Sequence, residues 1–131
     1  MIDKKSFKLS ILIPCYNEKN TIEELLKKII MCLKNYNFLN YEIIIVDDNS
    51  SDGTNEILKK FETIDKVKIF YHKKNSGKGG ALHTAIENSV SDITIIQDAD
   101  LEYDPFDYDK LLLPFFETDA DVVYGSRFLG G

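Results

Sequence analysis

The chain has 131 residues and a net charge of −6, with 44% hydrophobic and 29% charged residues, which is typical of one soluble globular domain. Nucleic-acid-binding proteins usually carry a basic face, so this acidic composition argues against nucleic acid as a partner. No apolar run approaches the ~20 residues of a membrane span, and residues 1–8 lack the apolar segment of a signal peptide.

Five short apolar runs predict β-strands at residues 9–14, 41–46, 67–71, 93–96 and 121–124. The strongest of them are apolar at successive positions and do not alternate with polar residues. This pattern favours the strands of a parallel sheet that helices cover on both faces.

Helical patterns lie between the predicted strands. Thr21 and Glu24 have the spacing of a capping box, and apolar residues follow at three- to four-residue intervals through residue 33. Further helices are predicted at residues 54–61, 80–90 and 107–117. The alternation of strand and helix predicts an α/β fold with a mostly parallel sheet and right-handed crossovers.

Polar and glycine-rich segments follow the predicted strands. They are residues 14–18, 47–54, 75–81, 97–102 and 125–128. Ligands of open parallel sheets bind beyond the carboxyl ends of the strands. These segments therefore predict a functional site along one edge of the sheet.

Three carboxylates alternate after the fourth predicted strand, at Asp98, Asp100 and Glu102. If the extended backbone continued, they would face one side, and converging carboxylates repel each other unless a cation lies among them. Hard oxygen ligands suit Mg²⁺ or Mn²⁺. The alternative is a solvated acidic loop with a helix-capping aspartate, but the position among the other polar loops favours a metal site.

Other candidate residues allow two interpretations each. Asp48 could contact a base or ribose or could serve a turn, and Tyr16 could stack on a base or pack internally. Lys78 could meet a diphosphate or remain a solvated lysine. Its segment, residues 77–80, matches neither a P-loop nor a dinucleotide fingerprint, although its glycines allow an exposed helix N-terminus. Arg127 could clamp a phosphate or form a salt bridge at the rim.

The histidines and cysteines are predicted to be structural. His72 and His83 lack metal-type spacing, and we interpret them as surface or core residues. Cys15 and Cys32 are too few for a disulfide framework, which favours packing roles in a reducing cytoplasm. The sequence stops directly after the fifth predicted strand, so we expect residues 1–131 to be the N-terminal portion of one longer domain.

These segments together resemble the inverting glycosyltransferases of family 2, which have the GT-A fold, over nearly the whole chain. The motifs that carry the resemblance are Pro14-x-Tyr16-Asn17-Glu18, Asp47-Asp48-x-Ser50-x-Asp52-x-Thr54, Gly77-Lys78-Gly79 and Asp98-Ala99-Asp100. Through residues 97–102 and 125–128 the chain looks most like polyprenyl-phosphate hexose synthases, such as dolichol-phosphate mannose and glucose synthases. The resemblance implies a Rossmann-like GT-A nucleotide-binding half with helices on both faces of the sheet.

The resemblance also implies a role for each matching residue. The residues expected to hold the nucleoside are Pro14, Tyr16, Glu18 and Asp48. Asp98 would contact the ribose or the sugar side of the site. Asp100, with Glu102, would hold the metal on the donor diphosphate, and Arg127 would meet the phosphate of a lipid acceptor.

The implied reaction transfers a hexose, with inversion, from a nucleoside-diphosphate sugar of the GDP-mannose or UDP-glucose type to a polyprenyl phosphate. The protein would then act at the cytoplasmic face of a membrane through a part that follows residue 131. One alternative is a hydroxyl acceptor, which would require a catalytic base beyond this segment. A non-catalytic nucleotide-binding fragment is another. A nucleotidyltransferase would usually carry a glycine-rich basic loop where this chain has residues 14–18.

Overall fold

The computed structural model describes residues 7–35, 40–100, 104–108, 110 and 112, together with the backbone of residues 122–125. The strands in these residues are β1 (Leu9–Cys15), β2 (Tyr41–Asp47), β3 (Val67–Tyr71), β4 (Ile93–Gln97) and β5 (Val122–Gly125). The helices are α1 (Ile22–Asn35), α2 (Thr54–Lys59) and α3 (Gly77–Glu87), and a short 3-10 turn covers Pro105–Asp107.

The strands form one parallel sheet in the order β3-β2-β1-β4-β5, which confirms the predicted fold class. The chain moves outward from β1 to β3 and then returns to β4 on the other side of β1. The connections after β1 and β4 therefore leave the sheet in opposite directions, and a crevice opens between their carboxyl ends. Residues 14–18 and 97–100 flank this crevice.

Helices bury both faces of the sheet. Ile11 and Ile13 of β1 belong to the apolar cluster that α1 and α2 cover, whereas Leu12 belongs to the cluster under α3. Ala81 and Ala85 are the buried residues of α3, and their small side chains let the helix backbone approach the strands. The continuous apolar runs of the sequence follow from this burial on two sides.

The strands begin and end within one residue of the predicted bounds, but two helices differ more. α3 begins at Gly77, three residues earlier than predicted, because the Asp48 carboxylate accepts hydrogen bonds from the Ser76 and Gly77 amides and fixes the first turn there. It also ends three residues earlier, at Glu87. α2 ends two residues earlier than predicted.

The predicted capping box does not form, since no hydrogen bond joins Thr21 and Glu24 among the described residues. The Thr21 hydroxyl donates to the Ala99 carbonyl oxygen at 2.6 Å. Tyr108, Lys110 and Leu112 are helical, and the rest of the helix predicted at residues 107–117 lies outside the described residues. In the described part of the chain, no helix is both long enough and apolar enough to cross a bilayer.

Candidate functional site

The carboxyl edge of the sheet encloses a cavity of about 520 Å³, which is within the size range of small-molecule sites. Seven residues predicted from the sequence line it: Pro14, Tyr16, Glu18, Asp48, Lys78, Asp98 and Asp100. The lining also includes Cys15, Asn75, Gly77, Ala81 and Ala99. Glu102 and Arg127, the other two predicted site residues, lie outside the described residues. The loops after β1, β2, β3 and β4 all contribute to this cavity.

The loop after β1 is held by the loop after β2. The Asn17 amide donates to Ser50 Oγ at 2.9 Å, and Asn17 Oδ1 accepts from the Ser51 amide at 2.8 Å. Asn17 adopts a left-handed backbone with φ of 52°, a conformation that asparagine tolerates better than most residues. Ser50 and Ser51 of the second loop therefore brace the loop after β1.

Two further hydrogen bonds extend this brace toward α2. The Glu18 amide donates to Thr54 Oγ1 at 3.0 Å, and the Lys19 amide donates to Asp52 Oδ2 at 3.2 Å. Burial alone would raise the pKa of Asp52, but hydrogen bonds from Thr54 and from the Lys19 amide lower it below its usual value. The second loop thus fixes the backbone beneath Tyr16 and Glu18 while those side chains line the cavity.

Asp48 is a buried hydrogen-bonding centre between β2, β3 and α3. Its Oδ1 accepts from the Ser76 amide at 2.8 Å and lies 2.9 Å from His72 Nδ1, and its Oδ2 accepts from the Gly77 amide at 2.8 Å. Burial alone would raise the pKa of Asp48, but the hydrogen bonds from Ser76, His72 and Gly77 outweigh it and lower the pKa. The carboxylate is therefore held in its charged form by the protein itself.

This arrangement changes the expectation for the start of α3. The sequence suggested an exposed helix N-terminus for a phosphate, but the Gly77 amide already donates to Asp48. Gly80 leaves room for the Ser76 side chain in the first turn, since a Cβ at Gly80 would lie 2.6 Å from Ser76 Cβ. Lys78 directly follows Gly77 and brings the positive charge of this loop to the cavity.

Sequence reasoning missed His72 and Ser76 as partners of Asp48. His72 is partly buried and its ring joins Asp48, Ser76 and Thr84, so it is neither a simple surface residue nor an apolar core residue. The signal that could have revealed it is its place one residue past β3. Because Asp47 pairs with Tyr71, the next residues along the two strands, Asp48 and His72, become neighbours.

The turn after β4 carries the two predicted metal-binding aspartates. β4 ends at Gln97 and the chain turns at Ala99 and Asp100. The extended backbone therefore does not continue, and this was the condition for the alternating acids to face one side. The turn is held because the Thr21 hydroxyl donates to the Ala99 carbonyl and Gln97 Nε2 donates to the Asp98 carbonyl at 3.2 Å. Asp98 and Asp100 nevertheless line the same cavity.

Asp98 forms an ion pair with a lysine side chain. Lys78 Nζ lies 2.7 Å from Asp98 Oδ1, and the Asp98 side chain is largely buried. This contact joins the glycine-rich loop to the acidic turn across the cavity. Within residues 7–35, 40–100 and the described positions beyond them, no group of three or more acidic, histidine or cysteine side chains is arranged to hold a metal. Glu102, the third predicted ligand, lies outside that part.

The charge of the cavity limits what can bind there unaided. Its lining has four carboxylates, on Glu18, Asp48, Asp98 and Asp100, against the single ammonium of Lys78, a formal charge of −3. An anionic ligand such as a diphosphate would be repelled unless a cation bound with it. Tyr16 is exposed at the cavity and offers an aromatic face to a planar group.

Comparison with known proteins gives a consistent result. Residues 10–131 match the sequence model of the family described as glycosyl transferase family 2. The chain is 34% identical to a dolichol-phosphate mannosyltransferase of Pyrococcus furiosus, over 95% of this chain and 34% of that protein. It is also 34% identical to a UDP-N-acetylglucosamine–dolichyl-phosphate N-acetylglucosaminyltransferase of Methanococcus voltae, over 89% of this chain and 51% of the relative. The chain thus spans about a third to a half of these curated relatives.

Solved structures show the same fold. A mannosyltransferase from Pyrobaculum calidifontis, solved in complex with GDP-Man and Mn²⁺, superposes with a TM-score of 0.63 and 30% identity, covering 72% of this chain and 28% of that one. S. aureus TarS in complex with UDP superposes with a TM-score of 0.69 and 24% identity, covering 84% of this chain and 32% of that one.

Proposed function

The chain belongs to glycosyl transferase family 2, and on this premise we propose that its cavity is the nucleotide-sugar site of a metal-dependent hexosyltransferase. The observation that carries the proposal is the convergence of four separate loops on one cavity, which brings together seven residues predicted independently from the sequence. The family match also favours this activity over the nucleotidyltransferase that the sequence left open.

The nucleoside end of the donor would lie at the loop after β1. Tyr16 would offer its ring to the base, and Pro14, Glu18 and Asp48 also line the cavity. The brace from the second loop holds this backbone before a ligand arrives, so less conformational freedom is lost on binding. Lys78 is placed to exchange its contact with Asp98 for one with the donor diphosphate.

The residues present fit a divalent cation. Asp98 and Asp100 supply the hard oxygen ligands that Mg²⁺ and Mn²⁺ prefer, and the ammonium of Lys78 at Asp98 shows that this carboxylate attracts positive charge. We expect Asp98, Asp100 and Glu102 to hold the ion. A cation bound there would act as a Lewis acid for the leaving diphosphate. The Pyrobaculum relative was solved with GDP-Man and Mn²⁺, which supports this assignment.

A polyprenyl phosphate is the acceptor that the relatives favour. The names of the Pyrococcus and Methanococcus relatives both include dolichol or dolichyl phosphate. A phosphate oxygen is already anionic near pH 7, so inverting displacement at the anomeric carbon needs no general base, whereas a hydroxyl acceptor does. Arg127 would bind the acceptor phosphate. The enzyme would then work at the cytoplasmic face of a membrane, where such a lipid presents its phosphate.

Transfer of labelled hexose tests the proposal. The full-length protein is incubated with polyprenyl phosphate and radiolabelled GDP-mannose or UDP-glucose, with Mn²⁺, with Mg²⁺ or with EDTA. We expect a lipid-extractable labelled product only with a metal ion. Asp100→Ala should lower kcat/KM by about 100-fold, the equivalent of about 2.7 kcal/mol.

Asp65 provides the matched control, since it is an exposed aspartate that precedes β3, at the opposite end of that strand from the cavity. Asp65→Ala should retain wild-type transfer. Labelled product on a hydroxyl acceptor alone would support the alternative acceptor class. Donor binding without transfer to any acceptor would support a non-catalytic nucleotide-binding role.

A further inference from the structure

His72 connects three parts of the structure without lining the cavity itself. It follows β3 directly, and its ring is partly buried. Nδ1 lies 2.9 Å from Asp48 Oδ1 and 2.9 Å from Ser76 Oγ, while Nε2 lies 2.7 Å from Thr84 Oγ1. The ring therefore joins the end of β2 to the first two turns of α3.

The hydrogen-bond partners of the His72 ring determine which nitrogen must carry a proton toward Asp48. A carboxylate can only accept, so Nδ1 must donate to Asp48. Thr84 is adaptable, because its hydroxyl can donate to Nε2 or to the Gly80 carbonyl oxygen at 3.2 Å. The contact with Thr84 can therefore be satisfied in more than one way, whereas the contact with Asp48 can be made only by a donor at the Nδ1 position.

Through Asp48, His72 is linked to the residues that would face the donor. Asp48 lines the cavity and also accepts from the Gly77 amide, the residue before Lys78. Lys78 in turn reaches Asp98. A shift of the Asp48 carboxylate would thus move the first turn of α3 and the lysine that it carries.

We propose that His72 is a positioning residue of the donor site: its Nδ1–H orients the Asp48 carboxylate and the first turn of α3, so that Asp48 and Lys78 meet the nucleoside diphosphate together. The inference rests on the proposed function. It assigns His72 no contact with the donor. The proposal does not apply to His83, an exposed histidine of α3 whose ring pairs with Glu87.

Two amide variants separate orientation from simple space filling. The side-chain nitrogen of asparagine can take the place of Nδ1, and that of glutamine can take the place of Nε2. Glutamine is closer to histidine in size, so a space-filling role would favour His72→Gln. An orienting role would favour His72→Asn, which keeps the donor to Asp48.

The experiment is calorimetric titration of the full-length protein with UDP and with GDP in the presence of Mn²⁺. For the nucleotide that the wild type binds, we expect His72→Ala and His72→Gln to raise Kd about tenfold, the size expected for one hydrogen bond to a charged group. His72→Asn should stay within about threefold of wild type, and His83→Ala should not change Kd. Thermal unfolding of each variant shows that the folded protein is being measured.

The outcomes distinguish the two proposals. If the wild type binds neither UDP nor GDP with Mn²⁺, the proposed function fails and the role of His72 fails with it. If the wild type binds, but His72→Asn is no better than His72→Gln, the positioning role is overturned and the proposed function stands. Wild-type affinity in His72→Ala would overturn it as well, and if that variant does not fold, the asparagine and glutamine pair decides.

Discussion

Two buried carboxylates of strand β2 and its following loop differ in their partners: Glu42 is the second residue of the strand and Asp48 follows its end, and each is 3% exposed. Glu42 accepts from the Ser10 hydroxyl at 2.6 Å and the Val90 amide at 2.8 Å. It also pairs with Lys68 at 3.2 Å. Asp48 lies at the wall of the cavity, and its partners are helix amides, a serine hydroxyl and a histidine ring.

The difference separates an acid with structural partners only from the acid that we propose to serve the donor site. Two lysines, Lys68 and Lys8, neutralise Glu42, and it joins β1, β2 and the segment after α3. Asp48 has no lysine partner among the described residues; its charge is held by amide and histidine donors on one side and faces a cavity on the other. Burial alone therefore does not distinguish the two acids, but the kind of partner and the adjoining space do.

Removing Glu42 should produce the largest change in stability. Glu42→Ala leaves the Ser10 hydroxyl and the Val90 amide without their buried acceptor, and we expect the free energy of unfolding to fall by about 3 kcal/mol. Chemical denaturation measures this change. Nucleotide Kd, measured on the folded protein, should stay within about twofold. A large loss of nucleotide affinity at unchanged stability would reverse the comparison.

Two glycines of α3 should respond in opposite directions to the same substitution. Gly80→Ala places a Cβ against Ser76, and we expect overpacking of about 1–3 kcal/mol together with weaker nucleotide binding, because Ser76 holds Asp48. Gly79→Ala meets nothing within 4 Å, so alanine should stabilise the helix by up to about 1 kcal/mol. Denaturant titration and nucleotide Kd of both variants check this. Equal effects at the two positions would show that the contact between Ser76 and Asp48 does not control the site.

A smaller effect should appear in the pH dependence of stability. The pKa values of Glu42 and Asp48 are both lowered in the folded protein, because the hydrogen bonds that each accepts outweigh the effect of burial. A lowered pKa adds stability above the unfolded value of about 4, and that stability is lost as pH falls through the folded value. We therefore expect the free energy of unfolding to be nearly constant from about pH 7 to 5 and to fall below about pH 4.

The variants sharpen this comparison between the two acids. Asp48→Asn and Glu42→Gln should each make the decrease below about pH 4 shallower, because each removes one carboxylate that must be protonated. Denaturant titrations at stepped pH provide the measurement. Steeper loss in either variant would mean that the removed carboxylate is not stabilised in its charged form.

The sequence was sufficient to predict the fold and seven of the residues that line the cavity, because the patterns that predict them are local. Apolar runs on both faces predict buried parallel strands, and acidic or glycine-rich residues after each strand predict the sheet edge where ligands bind. The start of α3 was missed because glycine is a poor helix former and the acceptor that fixes it is the carboxylate of Asp48, 28 residues before Ser76. The turn at Ala99 and Asp100 was missed for a similar reason, since Thr21, 78 residues before Ala99, helps to hold it.

Titration of the donor with and without metal tests the central claim, that the carboxyl edge of the sheet is a metal-dependent nucleotide-sugar site. GDP-mannose and UDP-glucose are titrated into the full-length wild-type protein, Asp100→Ala and the control Asp65→Ala, each with Mn²⁺ and with EDTA. We expect one donor to bind wild type and Asp65→Ala with Mn²⁺, and to bind about 100-fold more weakly in EDTA or to Asp100→Ala. Equal affinity of wild type and Asp100→Ala with Mn²⁺ present would contradict the account.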